Sequence, residues 1–311
     1  IAEVTRVHVR RVIRKLGYVY NRAAGQIRTR RTNIVGISIC DLSNPYFAKV
    51  AAGIDQSLCD LGRVLFLNDS KENIEKQAKF LATLREYNVE GILLTPAFGT
   101  PKNLISQVQD WRIPLVAVSR RIIGARTDFA GNDNKFGALL ASNHLIGLGH
   151  ERIAFVGLNS KTSTGRERFA GFREGLKRAG KVADPDLLIE CEATREAGFN
   201  AVLKLFELKG PPTAIACFND LVAFGVMLGL KRLGVEPGRD CSVVGFDDVS
   251  EAALWLPPLT TIAVDVTGIG RAAAQLLMER IADPDRPITQ RALKPHLVGR
   301  SACGPLRRRH L

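Results

Sequence analysis

From Asn33 onward the apolar and polar positions alternate between two rhythms. Runs such as Ile34-Val-Gly-Ile-Ser-Ile-Cys40, Gly91-Ile-Leu-Leu-Thr95 and Ile153-Ala-Phe-Val-Gly157 are apolar on both faces, as strands buried in a parallel sheet are. The stretches between them repeat their apolar positions every three to four residues, the signature of a helix with one buried face. This pattern predicts strands near 34–40, 63–68, 90–95, 114–118, 128–131, 152–157, 187–191, 213–218, 241–246 and 260–265. Helices are predicted near 46–61, 72–87, 101–110, 134–147, 165–180, 195–207, 220–233 and 267–282. Glycines at helix ends (Gly62, Gly147, Gly149, Gly180, Gly234) and short connections fit βαβ units. The fold class that follows is α/β, with two doubly wound parallel-sheet lobes in tandem.

Ahead of this body the rhythm differs. Residues 4–16 place Val9, Val12, Ile13 and Leu16 on one helix face with arginines opposite, and Gly17 stops the helix. A single short amphipathic helix has nothing before it to pack on, so it reads as the last helix of a small domain.

Charge sharpens the contrast. Of a net +13 over 311 residues, the segment 1–31 contributes +8 from nine Lys/Arg against Glu3, and Arg307–Arg309 add three more. A nearly neutral body with a positive head is what phosphate-backbone binding requires; a solvated basic helix or a patch facing anionic lipid is the plainer alternative. Apolar content is 46% and no apolar run reaches the ~20 residues of a membrane span. No export signal is visible, which leads us to expect a cytoplasmic protein without membrane contact. The six cysteines (40, 59, 191, 217, 241, 303) lack metal-ligand spacing, so they are expected to be reduced and buried, with no metal site and no cofactor. His144 and His150 read as surface and loop positions. No nucleophile–base set, Walker loop or dinucleotide fingerprint follows a strand, which argues against an enzyme.

An ordered set of short motifs carries a resemblance: Leu16-Gly-Tyr-x-x-Asn-x-x-Ala24, Asn33-Ile-Val-Gly-Ile, Asn44-Pro-Tyr-Phe47, Asn132-Asp-Asn134, Gly149-His-Glu-Arg-Ile153, Arg168-Phe-Ala-Gly-Phe172, Phe218-Asn-Asp220, Val243-Val-Gly-Phe-Asp-Asp248 and Pro258-Leu-Thr-Thr-Ile262. Over residues 1–303 the chain resembles transcriptional regulators of the lactose-repressor/purine-repressor (LacI/GalR) type. The resemblance implies a type I periplasmic-binding-protein-like body behind a helical DNA-binding head. It also implies a homodimer on a two-fold operator and a small-molecule effector between the lobes. A chain opening at Ile1 is expected to lack the first part of that head, and so to bind operator DNA weakly and with strong salt dependence. The implied DNA contacts are Arg22, Ala24, Ile27 and Arg28 of a hinge helix. There the small alanines permit close approach of two helices, and Ile27 stands where the family wedges open the minor groove. Tyr20 and Gly25 depart from the family pattern, and a flexible basic linker is the alternative reading. The expected division is a head over 1–31, a first lobe over 32–132 plus 265–290, a second over 133–264 plus 291–303, and a disordered tail from 304.

In open α/β sheets ligands sit beyond the carboxyl ends of the strands, so two facing lobes bind in the crevice between them. The positions implied as effector contacts are Tyr46, Phe47, Ser119, Arg120, Asp133, Thr164, Arg168, Asn219 and Asp247. Phe47 could equally pack in the core, Asp133 could cap the following helix, and Arg168 with Asp247 could form a purely structural ion pair. Together Arg168, Asn219 and Asp247 offer the donors and acceptors a polyhydroxyl ligand needs, which points to a sugar or sugar derivative. Ser119 and Val264 stand where sugar-binding members often carry acidic or amide groups. Thr162 replaces an Arg of the purine-binding member, and Arg120 beside Arg121 would favour an acidic ligand. A transporter's periplasmic sugar-binding protein shares such a body, but the arginine-rich head disfavours it.

Overall fold

The structure is a computed structural model that describes residues 2–17 and 32–306. The first helix, α1 (Glu3–Lys15), buries no residue and ends at Gly17, whose φ of +61° suits glycine. Val9, Val12, Ile13 and Leu16 are all exposed, so the apolar stripe read from the sequence lies open. The DNA-contact positions Arg22, Ala24, Ile27 and Arg28 lie outside the described residues.

The body then runs β1 (Ile34–Ile39), α2 (Pro45–Cys59), β2 (Val64–Asp69), α3 (Ile74–Glu86), β3 (Gly91–Leu94), α4 (Lys102–Asp110), β4 (Leu115–Val118) and β5 (Asp128–Asn132). It crosses into α5 (Asn134–Gly147), β6 (Ile153–Leu158), α6 (Ser163–Arg178), β7 (Leu188–Glu190), α7 (Arg195–Phe206), β8 (Ala214–Cys217), α8 (Asp220–Arg232), β9 (Ser242–Asp247) and β10 (Thr260–Ala263). The chain returns through α9 (Val266–Ala282) and β11 (Gln290–Leu293) and crosses a last time into β12 (His296–Val298).

Two six-stranded sheets result. The first has the order β11-β5-β4-β3-β1-β2 and is parallel throughout; the second has the order β12-β10-β9-β8-β6-β7, with β12 antiparallel to β10. Central strands β3, β4, β8 and β9 are buried at every position, as their two-sided apolar sequences require. Separate apolar layers cover the two faces of each sheet, built around Ile37 and Leu93 or Ile92 and Phe129 in the first lobe, and Val243 and Phe224 or Phe155 and Phe246 in the second. Helices α2 and α9 approach so closely that a Cβ on Gly270 would stand 2.8 Å from the backbone of Gly53. Only glycine permits that contact.

Three expectations change here. The division drawn between 290 and 291 falls inside β11, whose four residues all pair with β5 of the first sheet, so the last crossing lies between Leu293 and His296. The tail expected from 304 is held as far as Leu306, whose N–H donates to Leu148 O at 2.9 Å. Cys59 is exposed, and Cys191 and Cys303 are half-buried, so burial holds only for Cys40, Cys217 and Cys241.

Candidate functional site

The strand-to-helix turns of both lobes face each other, and polar residues at those turns cap the helices that follow. Asn44 caps α2 by accepting from Tyr46 N–H, Thr194 caps α7 through Ala197 N–H, and Asn219 caps α8 through Val222 N–H. These caps also line a crevice of about 300 Å³ between the lobes. Lobe-to-lobe contacts close its sides. Arg121 pairs with Glu167 at 2.9 Å, Thr164 Oγ1 donates to Ser119 O at 3.3 Å, and Lys49 Nζ donates to Ser250 Oγ at 2.8 Å.

The floor is polar and buried. Arg168, 4% exposed, donates Nε to Asn134 Oδ1 at 3.0 Å, a second N–H to the carbonyl of Phe218, and a third to Asp247 Oδ1 at 3.3 Å. Its guanidinium lies 3.7 Å from the ring centre of Phe246 and 4.7 Å from that of Phe218, which fixes its plane. Asp247 Oδ2 accepts no hydrogen bond among the described residues. Burial pushes the Asp247 carboxyl up to about 6 against the opposing pull of Arg168. Tyr46 donates its hydroxyl to Ser119 Oγ at 3.0 Å, and burial raises that phenol to about 12. The backbone departs from common geometry at two lining residues, Ser119 with φ +62° and Asp247 with φ +119°. Such conformations cost about 1–3 kcal/mol each and persist where the surroundings hold them.

A two-lobed sensor with repressor-like motifs is therefore already in view when the chain is set beside known proteins. Residues 32–297 match the family described as periplasmic binding proteins and sugar binding domain of the LacI family. The chain belongs to the LacI family. It is 31% identical over 313 residues to the HTH-type transcriptional repressor PurR of Erwinia tasmaniensis, spanning 99% of this chain and 91% of that protein. It is 27% identical over 306 residues to PurR of Aliivibrio salmonicida, with 98% and 92% covered. A LacI family transcriptional regulator from Enterococcus faecium with bound ribose matches with a TM-score of 0.78 at 26% identity, over 88% of this chain and all of that one. The transcriptional regulator CelR in complex with cellobiose matches with a TM-score of 0.81 at 27% identity, over 97% and 91%. These LacI-family relatives are transcriptional regulators, not enzymes, and this chain is one of them.

Within the cleft of this LacI-family regulator, eight of the nine residues expected from the sequence come together: Tyr46, Phe47, Ser119, Arg120, Thr164, Arg168, Asn219 and Asp247. Asp133 does not line it. Its carboxylate accepts from Phe136 N–H at 2.9 Å and caps α5, the alternative the sequence had left open. Phe47 both lines the cleft and packs in the first core.

Arg120 is in place but already engaged. Nη1 donates to both oxygens of Glu72 at 2.8 and 3.0 Å, and the guanidinium stacks near Phe98 and Phe47. Arg121 turns away, 3.9 Å above the ring of Phe129, and pairs with Glu167. Neither arginine is left to receive an acidic ligand. Sequence reading missed Lys71, Glu72, Phe98 and Glu192, which line the cleft from loops. Thr162 caps α6 outside the cleft. His150 corrects its sequence reading: it is 3% exposed and held by Thr213 and Ser242 hydroxyls and the Gly304 carbonyl.

Among the described residues no group of His, Cys, Asp and Glu could hold a metal ion, and no helix is long and apolar enough to cross a membrane.

Proposed function

We propose that the cleft takes a neutral polyhydroxyl effector, a sugar or sugar derivative, and that its occupation changes the affinity of a dimeric regulator for operator DNA. The observation that carries this reading is the Arg168–Asp247 floor. It presents a fixed guanidinium and a carboxylate oxygen without a partner, between the aromatic faces of Phe47, Phe98 and Phe218. Adjacent hydroxyls suit this arrangement: one donates to the carboxylate, another accepts from the guanidinium, and a sugar's apolar face lies on a ring. Neutralisation of Arg120 by Glu72 disfavours acids. The ribose and cellobiose of the two neighbours fit the same chemistry.

Bound across both lobes, the effector stabilises one arrangement of them and passes that bias to the head, where Arg22, Ala24, Ile27 and Arg28 meet the DNA. The change in operator affinity equals the effector's preference between the two arrangements. Calorimetric titration of the full chain with pentoses, hexoses, disaccharides and purine bases tests the reading. A saccharide is expected to bind, and Arg168→Met and Asp247→Asn to abolish its heat. Binding of a base alone, or a saccharide titration unchanged by both substitutions, sinks it.

A further inference from the structure

A second cavity, of about 360 Å³, opens at the rim where the lobes meet. Its first-lobe wall comes from residues 96–97, 99–100 and 120–123, and its second-lobe wall from residues 161–163 and Arg166. Four cations line it, Arg120, Arg121, Lys161 and Arg166, and no carboxylate does. Glu72 and Glu167 neutralise Arg120 and Arg121. Lys161 and Arg166 are exposed and form no ion pair among the described residues, and Arg166 Nε donates only to Ser160 O at 2.6 Å. The cavity therefore keeps a surplus of positive charge. At the far end of α6, by contrast, Arg178 pairs with Glu174.

The same rim holds the start of α6. Thr162 caps it through Gly165 N–H, and the Ser163 N–H donates to no described partner while the Ser163 hydroxyl accepts from Arg121 N–H at 2.8 Å. Unsatisfied amides and the positive end of the helix dipole add to the side-chain cations. We infer that this rim cavity is an anion site that takes a phosphate group, held by Lys161, Arg166 and the first turn of α6. An occupant touches both lobes, and Arg120 lines this cavity and the effector cleft alike. By linkage, a phosphate that bridges the lobes and an effector that favours the same arrangement strengthen each other's binding. The site itself stands whether or not the effector is a sugar, because Lys161 and Arg166 lie outside the cleft.

Inorganic phosphate and glucose 6-phosphate are the probes, titrated calorimetrically into the full chain at constant ionic strength, with sodium chloride as the blank. Phosphate is expected to bind above the chloride blank, and the Lys161→Ala, Arg166→Ala double variant to weaken it at least tenfold. Both side chains are exposed, so an unchanged melting temperature without phosphate verifies that the variant folds. Tighter binding of the ester than of phosphate, lost in the same variant, means that the cavity holds the body of a phosphate ester. Equal binding of the two, likewise lost, means that it takes the phosphate group alone. Heats no larger than chloride's overturn the inference. So does a phosphate or ester titration that survives the double variant, since the anion then sits on the basic head or in the cleft.

Discussion

Removing the charge of Asp247 should stabilise the regulator, even though the proposed effector site is lost with it. Its carboxyl is carried from an ordinary 3.8 to about 6, chiefly by burial, with Arg168 opposing. A group whose folded value is raised binds its proton more tightly in the folded state. It therefore adds nothing well below pH 3.8, where both states are protonated, and its penalty on folding grows as pH climbs from there to about 6 and is then constant. A displacement of that size corresponds to about 3 kcal/mol at pH 7.5 and falls to about 1 kcal/mol at pH 4.5. Asparagine keeps the shape and one acceptor for Arg168 but carries no charge, so Asp247→Asn stands in for the protonated acid. The predicted gain is about 3 kcal/mol at pH 7.5, shrinking as the pH falls. Urea unfolding followed by tryptophan fluorescence reads it out, because the chain has two tryptophans. Trp255 stacks on Phe224 in the second lobe, while Trp111 packs in the first, so a Trp111→Phe background reports the lobe that holds Asp247. A variant no more stable than the parent at pH 7.5, or one whose gain is the same at both pH values, refutes the reasoning. Loss of stability would mean that the attraction of Arg168 outweighs the burial cost.

The same carboxylate makes effector affinity depend on pH. If an effector hydroxyl donates to ionised Asp247, binding is flat above pH 7 and weakens about tenfold per unit below about 6. Of the groups around it, Tyr46 is held near 12, well outside that range, and burial pushes the Asp220 carboxyl well above the usual carboxylate range; titrations from pH 5 to 8 measure the slope. Asp133→Ala should cost about 1 kcal/mol through loss of the α5 cap and leave effector affinity unchanged, as denaturation and calorimetry run side by side would show. Gly225→Ala places a Cβ 1.9 Å from the Arg195 carbonyl and forces α7 and α8 apart. A loss of about 3 kcal/mol or failure to fold is expected, visible as a lowered melting temperature.

What the sequence disclosed follows from how strongly each element is constrained. Strands such as Gly91–Leu94 and Ala214–Cys217 are buried on both sides, so their apolar runs are unbroken and legible. Gln290–Leu293 and His296–Val298 are short, half-exposed edge strands without such a run, and neither was foreseen. Without β11 the last crossing was placed inside a strand. The site was legible where a polar residue follows a strand within two positions, as Ser119 and Asn219 do. Asp133 follows a strand too, yet an aspartate that caps a helix and one that faces a ligand look identical in sequence. Glu72 escaped because its meaning depends on Arg120, 48 residues away, which only the fold brings within 2.8 Å. His150 was misjudged for the same reason, since Gly304, 154 residues on, covers it.

The lobe contacts explain why a small ligand could govern this molecule. Among the described residues three connections join the lobes, between β5 and α5, β10 and α9, and β11 and β12. The polar contacts that draw them together are few. Arg121 and Glu167 keep about a third of their side chains exposed, and Lys49 meets Ser250 at an exposed position. Pairs of that kind contribute about 0–1 kcal/mol each, so closure is marginal on its own. On the proposed reading, a ligand gripped by Arg168 and Asp247 from the second lobe and by Tyr46 and Phe47 from the first adds its whole cross-lobe energy to one arrangement. Moving such an equilibrium from 1:99 to 99:1 takes about 5.5 kcal/mol of preference, which a few charge-assisted hydrogen bonds of about 1.5–3 kcal/mol each supply. The polar floor is therefore held ready inside the protein at a cost in folding stability, and the joint between the lobes is left weak. Control by a metabolite needs both.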